Sequence, residues 1–440
     1  MKYTSTRGNA PALGLSAALA AGLAPDGGLY VPQTLPRFTP PDFDDCADLP
    51  SVAARLLAPF FANDALADEL TAIARRAFTF DAPLRALATP RDHLLELFHG
   101  PTAAFKDFGA RFLAACMQRL PRNANKPLTI LVATSGDTGA AVGAAFAGLP
   151  GFKVAILYPD GRVSPRQAHQ LGCFGGNVRA FRVDGTFDDC QRMVKQALSD
   201  RELRDVVALG SANSISLGRL LPQMAYYADT ALRHFRTANT PLNFVVPTGN
   251  LGNAVACVLA RACGLPIGHI ALATNANRVL PDFFAGAEYT AQASLATIAN
   301  AMDVGAPSNF ERLNWLYPDA AVLRGEFVSA SVDDAAIRAT ITARHARYGE
   351  VFCPHTATAV HLLEQLRSES YARAEEDWAV VSTAHPAKFD SIVEPLIDAA
   401  VPVPPSLAAL LDRPAHAVPL ANDYAALRAT LLDDRTLDES

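Results

Sequence analysis

The stretch FHGPTAAFKDFGARF, Phe98 to Phe112, holds a single lysine, Lys106, between Phe105 and Phe108. Apolar flanks favour a neutral amine over an ammonium, and a neutral amine attacks carbonyl carbon. Gly100 and Pro101 cannot continue a helix, whereas Phe108, Phe112 and Leu113 share one helix face. Lys106 is therefore expected where a loop enters a helix, placed to present its amine to a cleft. Asp107 and Arg111, four residues apart, are expected to pair along that helix and leave Lys106 free. The ordinary alternative is a lysine reaching from a helix start into water.

Three further loops carry residue types suited to holding a small anionic ligand. Thr134-Ser135-Gly136-Asp137-Thr138-Gly139 follows the apolar run Leu128–Ala133 and precedes an Ala/Gly-rich helix. Its glycines let a ligand approach the backbone, and its hydroxyls with free helix N–H groups can hold a carboxylate. Asp137 would repel such an anion unless it pairs elsewhere. Ser, Asp and Thr are equally good helix caps, so both readings stand. Thr248-Gly249-Asn250-Leu251-Gly252-Asn253 follows the run Leu242–Val246 and resembles a phosphate cradle, with small residues and a helix dipole behind them. It has neither GK[ST] nor a full GxGxxG. Ser382-Thr383-Ala384-His385-Pro386 ends the last apolar run. Thr383 can hydrogen-bond a ring nitrogen; His385 reads better as a structural histidine than as an acid/base group. The polar stretch Gly210–Ser216 either lines a site or caps a helix beginning near Leu217. The ten histidines make no HExxH, His355 and His361 are not at helical pairing distance, and no GxSxG is present.

Apolar runs at 128–133, 153–158, 178–183, 242–246, 269–274 and 378–382 alternate with helical patterns at 140–149, 164–171, 187–198 and 254–263 and after residue 383. Continuous apolar strands between helices imply buried parallel sheets, here two α/β domains with a ligand cleft between them. Residues 1–90 read as a mainly helical lead-in, with helices at 13–23, 51–61 and 66–78, a turn at 25–28, a short apolar run at 29–31 and a proline-rich connection at 32–41.

The 440 residues suffice for two or three domains, and half are hydrophobic. The net charge is −6 with no basic stripe, which disfavours nucleic acid as a partner. Seven scattered cysteines without CxxC disfavour a disulfide framework or structural zinc and suggest a reducing cytoplasm. No secretory signal or transmembrane stretch is expected, so no membrane partner is either.

In this order, YTSTRG, GLAPDGGLYVP, ELFHGPTAAFKDFGARF, ATSGDTGAAV, ILYPDGRVSPRQ, GSANSIS, VVPTGNLGN, NAMDVGAPSNF and STAHPAKF span nearly the whole chain. Together they resemble the threonine synthase family, of the bacterial and fungal type, within the fold-type-II (tryptophan-synthase-β-like) pyridoxal-phosphate enzymes. The resemblance implies pyridoxal 5'-phosphate as cofactor, joined to Lys106 as a Schiff base. It implies a phosphate cradle of Gly249, Asn250, Leu251, Gly252 and Asn253, with Thr383 facing the pyridine nitrogen. Thr134, Ser135, Gly136, Asp137 and Thr138 would take the substrate carboxylate. Leu251 stands where relatives usually have Phe, and Asn253 where they often have Asp; both changes keep the backbone cradle. The implied domains are residues 1–90; a large cofactor domain of 91–125 with 235–400; a smaller substrate domain of 126–234; and a C-terminal extension, 401–440.

The implied reaction converts O-phospho-L-homoserine and water to L-threonine and phosphate, in a monomer or dimer. Lys2, Arg7, Arg111, Arg162 and Arg166 are candidate partners for the departing phosphate. A phospho-lyase yielding 2-oxobutanoate and ammonia would use the same lysine and cradle. A non-catalytic phosphate-ligand binding protein would use the two glycine loops but leave Lys106 and Thr383 unexplained.

Overall fold

The computed structural model describes residues 1–121 and 126–433. The expected boundary at 125–126 and residues 434–440 of the expected extension lie outside the described residues. Thirteen strands form three sheets among the described residues. Strands β1 (Tyr3–Ser5) and β2 (Tyr30–Pro32) pair antiparallel. A six-stranded sheet runs in the order β11 (Val328–Ser331), β10 (Ile267–Thr274), β9 (Leu242–Pro247), β12 (Trp378–Ser382), β4 (Asp92–Glu96), β3 (Leu84–Ala86). It is parallel except for β3, which joins β4 antiparallel. A five-stranded, wholly parallel sheet runs β13 (Val418–Leu420), β7 (Val178–Val183), β6 (Phe152–Pro159), β5 (Leu128–Ala133), β8 (Ala208–Ser211). The fold is the expected α/β arrangement with parallel sheets and a helix-rich N-terminal region. Every residue of β6, β9 and β12 is buried. With both faces covered by helices, these strands read as largely apolar runs, broken by Lys153 in β6 and Asn243 in β9, rather than alternating ones.

The N-terminal region is not a separate appendage. Phe61 of the Leu49–Phe61 helix meets Phe112 of the Lys106–Met117 helix edge-on, with ring centroids 6.0 Å apart. Phe78 and Phe80 flank Phe108 at 5.8 and 4.7 Å. Each such buried aromatic stabilises by roughly 1.5–3 kcal/mol, so this packing fixes the helix that carries Lys106. The lead-in holds more extended chain than its composition suggested, because residues 30–32, overlapping the run at 29–31, pair with residues 3–5.

The stretch expected as a C-terminal extension is also built into the fold. β13 pairs parallel with β7, Val418 opposite Phe181 and Leu420 opposite Val183. Leu427 and Leu431 of the Tyr424–Leu432 helix join the cluster around Phe181, Val183 and Met193.

The strand order decides where a ligand fits. From β9 the six-stranded sheet grows one way through β10 and β11, and the other way through β12, β4 and β3. The crevice between β9 and β12 is a topological switch point, and ligands of open α/β sheets bind beyond the carboxyl ends of such strands. The Thr248–Asn253 loop leaves β9, Thr383 leaves β12, and the Lys106 loop follows β4.

Candidate active site

The Lys106 loop is held from both sides. Phe105 N donates to Thr383 O at 2.8 Å and His385 N to Ala103 O at 3.0 Å, which ties the loop to the end of β12. The Asp107 carboxylate accepts from Thr102 N at 2.8 Å and Thr102 Oγ1 at 2.7 Å. A Cβ on Gly100 would lie 2.5 Å from Asp107 Oδ2, so only glycine leaves room for that cap. The expected Asp107–Arg111 pair does not form. Asp107 turns inward to the loop, whereas Arg111 donates to the carbonyls of Arg76 and Ala77 at 2.9 and 2.8 Å. Those carbonyls belong to the last turn of the Leu70–Ala77 helix and lack intrahelical donors. Lys106 is left free in the way the pair was meant to leave it.

Lys106 Nζ lies 5.1 Å from the Phe105 ring centroid and faces the cavity. Burial pushes its amine down to about 8; Asp137 opposes the shift, while Arg219 and Lys388 add to it. Asp137, 3% exposed, resolves the difficulty its sequence position raised by pairing with Lys388 Nζ at 2.7 Å. Gln167 Nε2 donates to the same Asp137 oxygen at 2.9 Å. Burial alone would raise the Asp137 carboxyl, but Lys388, Lys106 and His355 together hold it well below the ordinary carboxylate range. Lys388, 0% exposed, also donates to Thr102 O at 2.9 Å and so links three segments around Lys106. It was not singled out in the sequence. Its only signal there is a lysine inside the otherwise apolar, proline-started PAKF.

The Thr134–Gly139 loop starts the Asp137–Phe146 helix earlier than expected, with Thr134 Oγ1 accepting from Gly136 N and Gly139 N, both at 2.9 Å. Thr134, Ser135, Asp137 and Thr138 line the cavity. Gly136 does not line it; at φ 128° its position suits glycine, and a Cβ would lie 2.6 Å from Gln167 Nε2.

The cradle loop precedes the Gly252–Ala262 helix, whose first-turn N–H groups have no intrahelical acceptor. Leu251, at φ 61°, turns the chain into that helix. Asn250 Nδ2 donates to Ser214 Oγ at 2.6 Å, and Asn309 Nδ2 donates to Asn250 O at 2.8 Å. Behind them the buried Arg312 donates to Asn309 Oδ1 at 2.5 Å, Ile215 O at 2.7 Å and Tyr30 O at 3.0 Å. Burial pushes this guanidinium down to about 9 despite nearby Glu311. Arg312 thereby joins β2, the Gly210–Ser216 stretch and the cradle, a role no local motif reveals. Asn253 accepts from the Tyr227 hydroxyl at 2.9 Å, and its buried Nδ2 has no protein partner.

These loops share one cavity of about 930 Å³, lined by Lys106, Gly249 to Asn253, Thr383 and His355. Of the five candidate cations only Arg7 lines it, paired with Glu311 at 2.7 Å. Arg166 is engaged by Asp390 at 3.1 Å. Ser211, Asn213 and Ser214 line the cavity, the first of the two readings given to that stretch. His385 accepts from Ala387 N at 3.1 Å and caps the following 3-10 turn, the structural role expected of it. No cluster of metal-ligating side chains occurs among the described residues. A pyridoxal-phosphate ligand fits this donor set: one depressed lysine amine, a glycine-bearing helix start for a phosphate, and buried polar atoms without protein partners on residues of the cavity wall, including Asn253 and His355.

Comparison with known proteins agrees. A family model described as pyridoxal-phosphate dependent enzyme matches residues 93–384, so the chain belongs to that class of enzymes. Models described as threonine synthase N terminus and threonine synthase, C-terminal, match residues 2–78 and 356–431. The threonine synthase of Escherichia coli strain K12 is 38% identical, over 98% of this chain and 100% of the relative. The crystal structure of threonine synthase from Escherichia coli matches with a TM-score of 0.90, covering 98% of this chain and 100% of that one. The pyridoxal-phosphate-bound threonine synthase from Brucella melitensis, 34% identical, matches with a TM-score of 0.88 over 100% of both chains. Within its class, the chain belongs to the threonine synthase family.

Proposed function

We propose that this enzyme converts O-phospho-L-homoserine and water to L-threonine and phosphate with pyridoxal 5'-phosphate as cofactor. The observation that carries the reading is the Lys106 amine, pushed down to about 8 and facing the same cavity as a glycine-bearing helix start. When bound, the cofactor supplies an electron sink for charge developing on the substrate carbons. Lys106 would hold the cofactor through its amine, and the same Nζ, when free, would remove and return the Cα proton of the substrate. An amine near 8 can both accept and deliver that proton at neutral pH; one near the ordinary lysine value could not accept it readily. Gly249 to Asn253 would hold the cofactor phosphate with backbone N–H groups, and Thr383 would offer its hydroxyl to the ring nitrogen. A neutral hydroxyl there, rather than a carboxylate, would moderate electron withdrawal and suit elimination and replacement. Thr134, Ser135 and Thr138 receive the substrate carboxylate, while Asp137 is neutralised by Lys388 and does not repel it.

The proposed domain division places all of the six-stranded sheet except β3 with the cofactor cradle, and all of the five-stranded sheet except β13 with the substrate loop. Seven free thiols support a reducing compartment, the cytoplasm in our reading. No helix among the described residues is long and apolar enough to cross a membrane.

Borohydride reduction of the purified protein followed by peptide mapping tests the cofactor link, and product analysis with O-phosphohomoserine tests the reaction. An adduct at Lys106 with equal threonine and phosphate is expected. Keto acid in place of threonine would move the enzyme to the phospho-lyase reading, and a protein loaded with cofactor but unlabelled at Lys106 would overturn the proposal.

A further inference from the structure

His355, 2% exposed, sits in the first turn of the Pro354–Ser368 helix and lines the cavity. Its two ring nitrogens have unequal surroundings. Nε2 accepts a hydrogen bond from Ala301 N at 3.1 Å, so it carries a lone pair and not a proton. The proton of the neutral ring is therefore on Nδ1. Nδ1 is buried and has no partner in the protein. The ring is braced by Phe389, with centroids 4.9 Å apart, and cannot swing freely toward another acceptor.

The charged groups around the ring are Asp137, Lys106 and Lys388. Burial lowers the imidazole to about 4; Asp137 works against this, and the two lysines add to it. His355 is thus a fixed neutral donor at working pH and a poor proton acceptor. A buried N–H without an acceptor costs about 1–3 kcal/mol, a cost that a ligand oxygen in the cavity would remove.

We infer that His355 is a ligand-binding residue whose Nδ1–H donates to an anionic oxygen of the molecule bound beside Lys106. Resting on the proposed function, that oxygen belongs either to the ring of the cofactor or to the carboxylate of the substrate. Both present the same chemistry, an anionic acceptor close to a neutral amine. The Ala301 contact adds a specific consequence. Residues 300–303 pack against the cradle, since a Cβ on Gly249 would lie 2.7 Å from Met302 Cα. The histidine that reads the ligand is therefore oriented by the backbone segment that also abuts the cradle.

Two variants separate donation to the ligand from this orienting contact. His355→Gln places an amide oxygen near the Nε2 position, keeping an acceptor for Ala301 N while removing the Nδ1 donor. His355→Asn places an amide nitrogen near the Nδ1 position, keeping the donor. Pyridoxal phosphate is titrated into each apoenzyme, the visible absorption band is recorded, and KM and kcat for O-phosphohomoserine are measured. His355→Gln is expected to weaken one binding step about tenfold, with His355→Asn recovering most of it. Weaker cofactor binding with a shifted visible band assigns the oxygen to the cofactor. An unchanged band with a raised KM and little change in kcat assigns it to the substrate. Equal losses in both variants with lowered melting temperatures, or no change in His355→Gln, would overturn the inference. Failure of borohydride to mark Lys106 in the unsubstituted protein would instead overturn the functional reading, and it is visible before either variant is made.

Discussion

Asp137→Asn probes the electrostatics on which the proposed chemistry depends. In the native chain Asp137 is the one group that raises the Lys106 amine, against burial, Arg219 and Lys388. With the amine near 8, about one molecule in eleven carries neutral Lys106 at pH 7; at the ordinary lysine value the figure is about one in three thousand, some 300-fold fewer. Removing the Asp137 charge should lower the amine further, and each unit lost increases the neutral fraction up to tenfold until it saturates. The same change leaves Lys388 buried without its carboxylate, a loss of about 3–5 kcal/mol, part of which a second change, Lys388→Met, should restore. The assay is competitive acetylation of the cofactor-free protein with trace acetic anhydride, read by mass spectrometry of the Lys106 peptide and normalised to exposed Lys195. The native labelling curve should have its midpoint near 8, and the Asp137→Asn curve a lower one. A native midpoint near 10.5 would refute the claim that burial activates Lys106, and that measurement needs no variant. A midpoint that rises in Asp137→Asn would refute the assigned role of Asp137.

Two further outcomes follow from the packing and charge of the same region. Gly249→Ala puts a Cβ 2.7 Å from Met302 Cα, a backbone atom that cannot step aside cheaply, so the cradle must shift. Pyridoxal-phosphate titration should show affinity reduced tenfold or more with the circular-dichroism spectrum unchanged; unchanged affinity would mean that the cradle does not hold the phosphate. Asp303, hydrogen-bonded to Thr297 and Asn275, is pushed up by burial to about 7. Its folded value is raised, so its contribution to stability is full below the unfolded value and is lost as pH rises through the folded one. Asp303→Asn should therefore lose about 1.4 kcal/mol relative to the native chain for each unit of acidification between roughly pH 6.5 and pH 4. His355 and His385, both lowered by burial to about 4, act in the opposite sense in both proteins, so they cancel from the difference. The same stability difference between the two proteins by chemical denaturation at both ends of that window would contradict the assignment of Asp303.

The residues legible in the sequence are those whose role is written within one loop. Lys106 announces itself through its phenylalanine neighbours, and the cradle through glycines between an apolar run and a helix. The strands β5 and β12 were legible to the residue because burial on both faces makes each a nearly unbroken apolar run, and β7 was legible although Arg179 and the exposed Arg182 interrupt its apolar residues. β13 was not, since Val418–Leu420 is a three-residue edge strand containing proline, with Val418 48% exposed. Edge strands need little hydrophobicity of their own when the neighbouring strand supplies the template. Asp107 misled for a related reason. Spacing shows that two side chains can meet, but not that a nearer backbone donor, Thr102 N, will win the carboxylate.

Lys388, His355 and Arg312 were invisible because each is defined by what it meets across the fold. Their partners are far away in sequence: Asp137 for Lys388, Ala301 N for His355, and the carbonyls of Tyr30 and Ile215 for Arg312. The three share a physical logic. Each is a polar group placed where water cannot satisfy it, and each draws together loops that leave different strands. Isolated, any one of them would destabilise the fold by several kcal/mol. Engaged, they hold the Lys106 loop, the Thr134–Gly139 loop and the Thr248–Asn253 loop in one geometry. Under the proposed function, that preorganisation lets a single weakly basic amine act on a bound substrate without rearranging its surroundings. It also explains why the chemistry is readable in short motifs while the positioning of that chemistry is readable only in the folded chain.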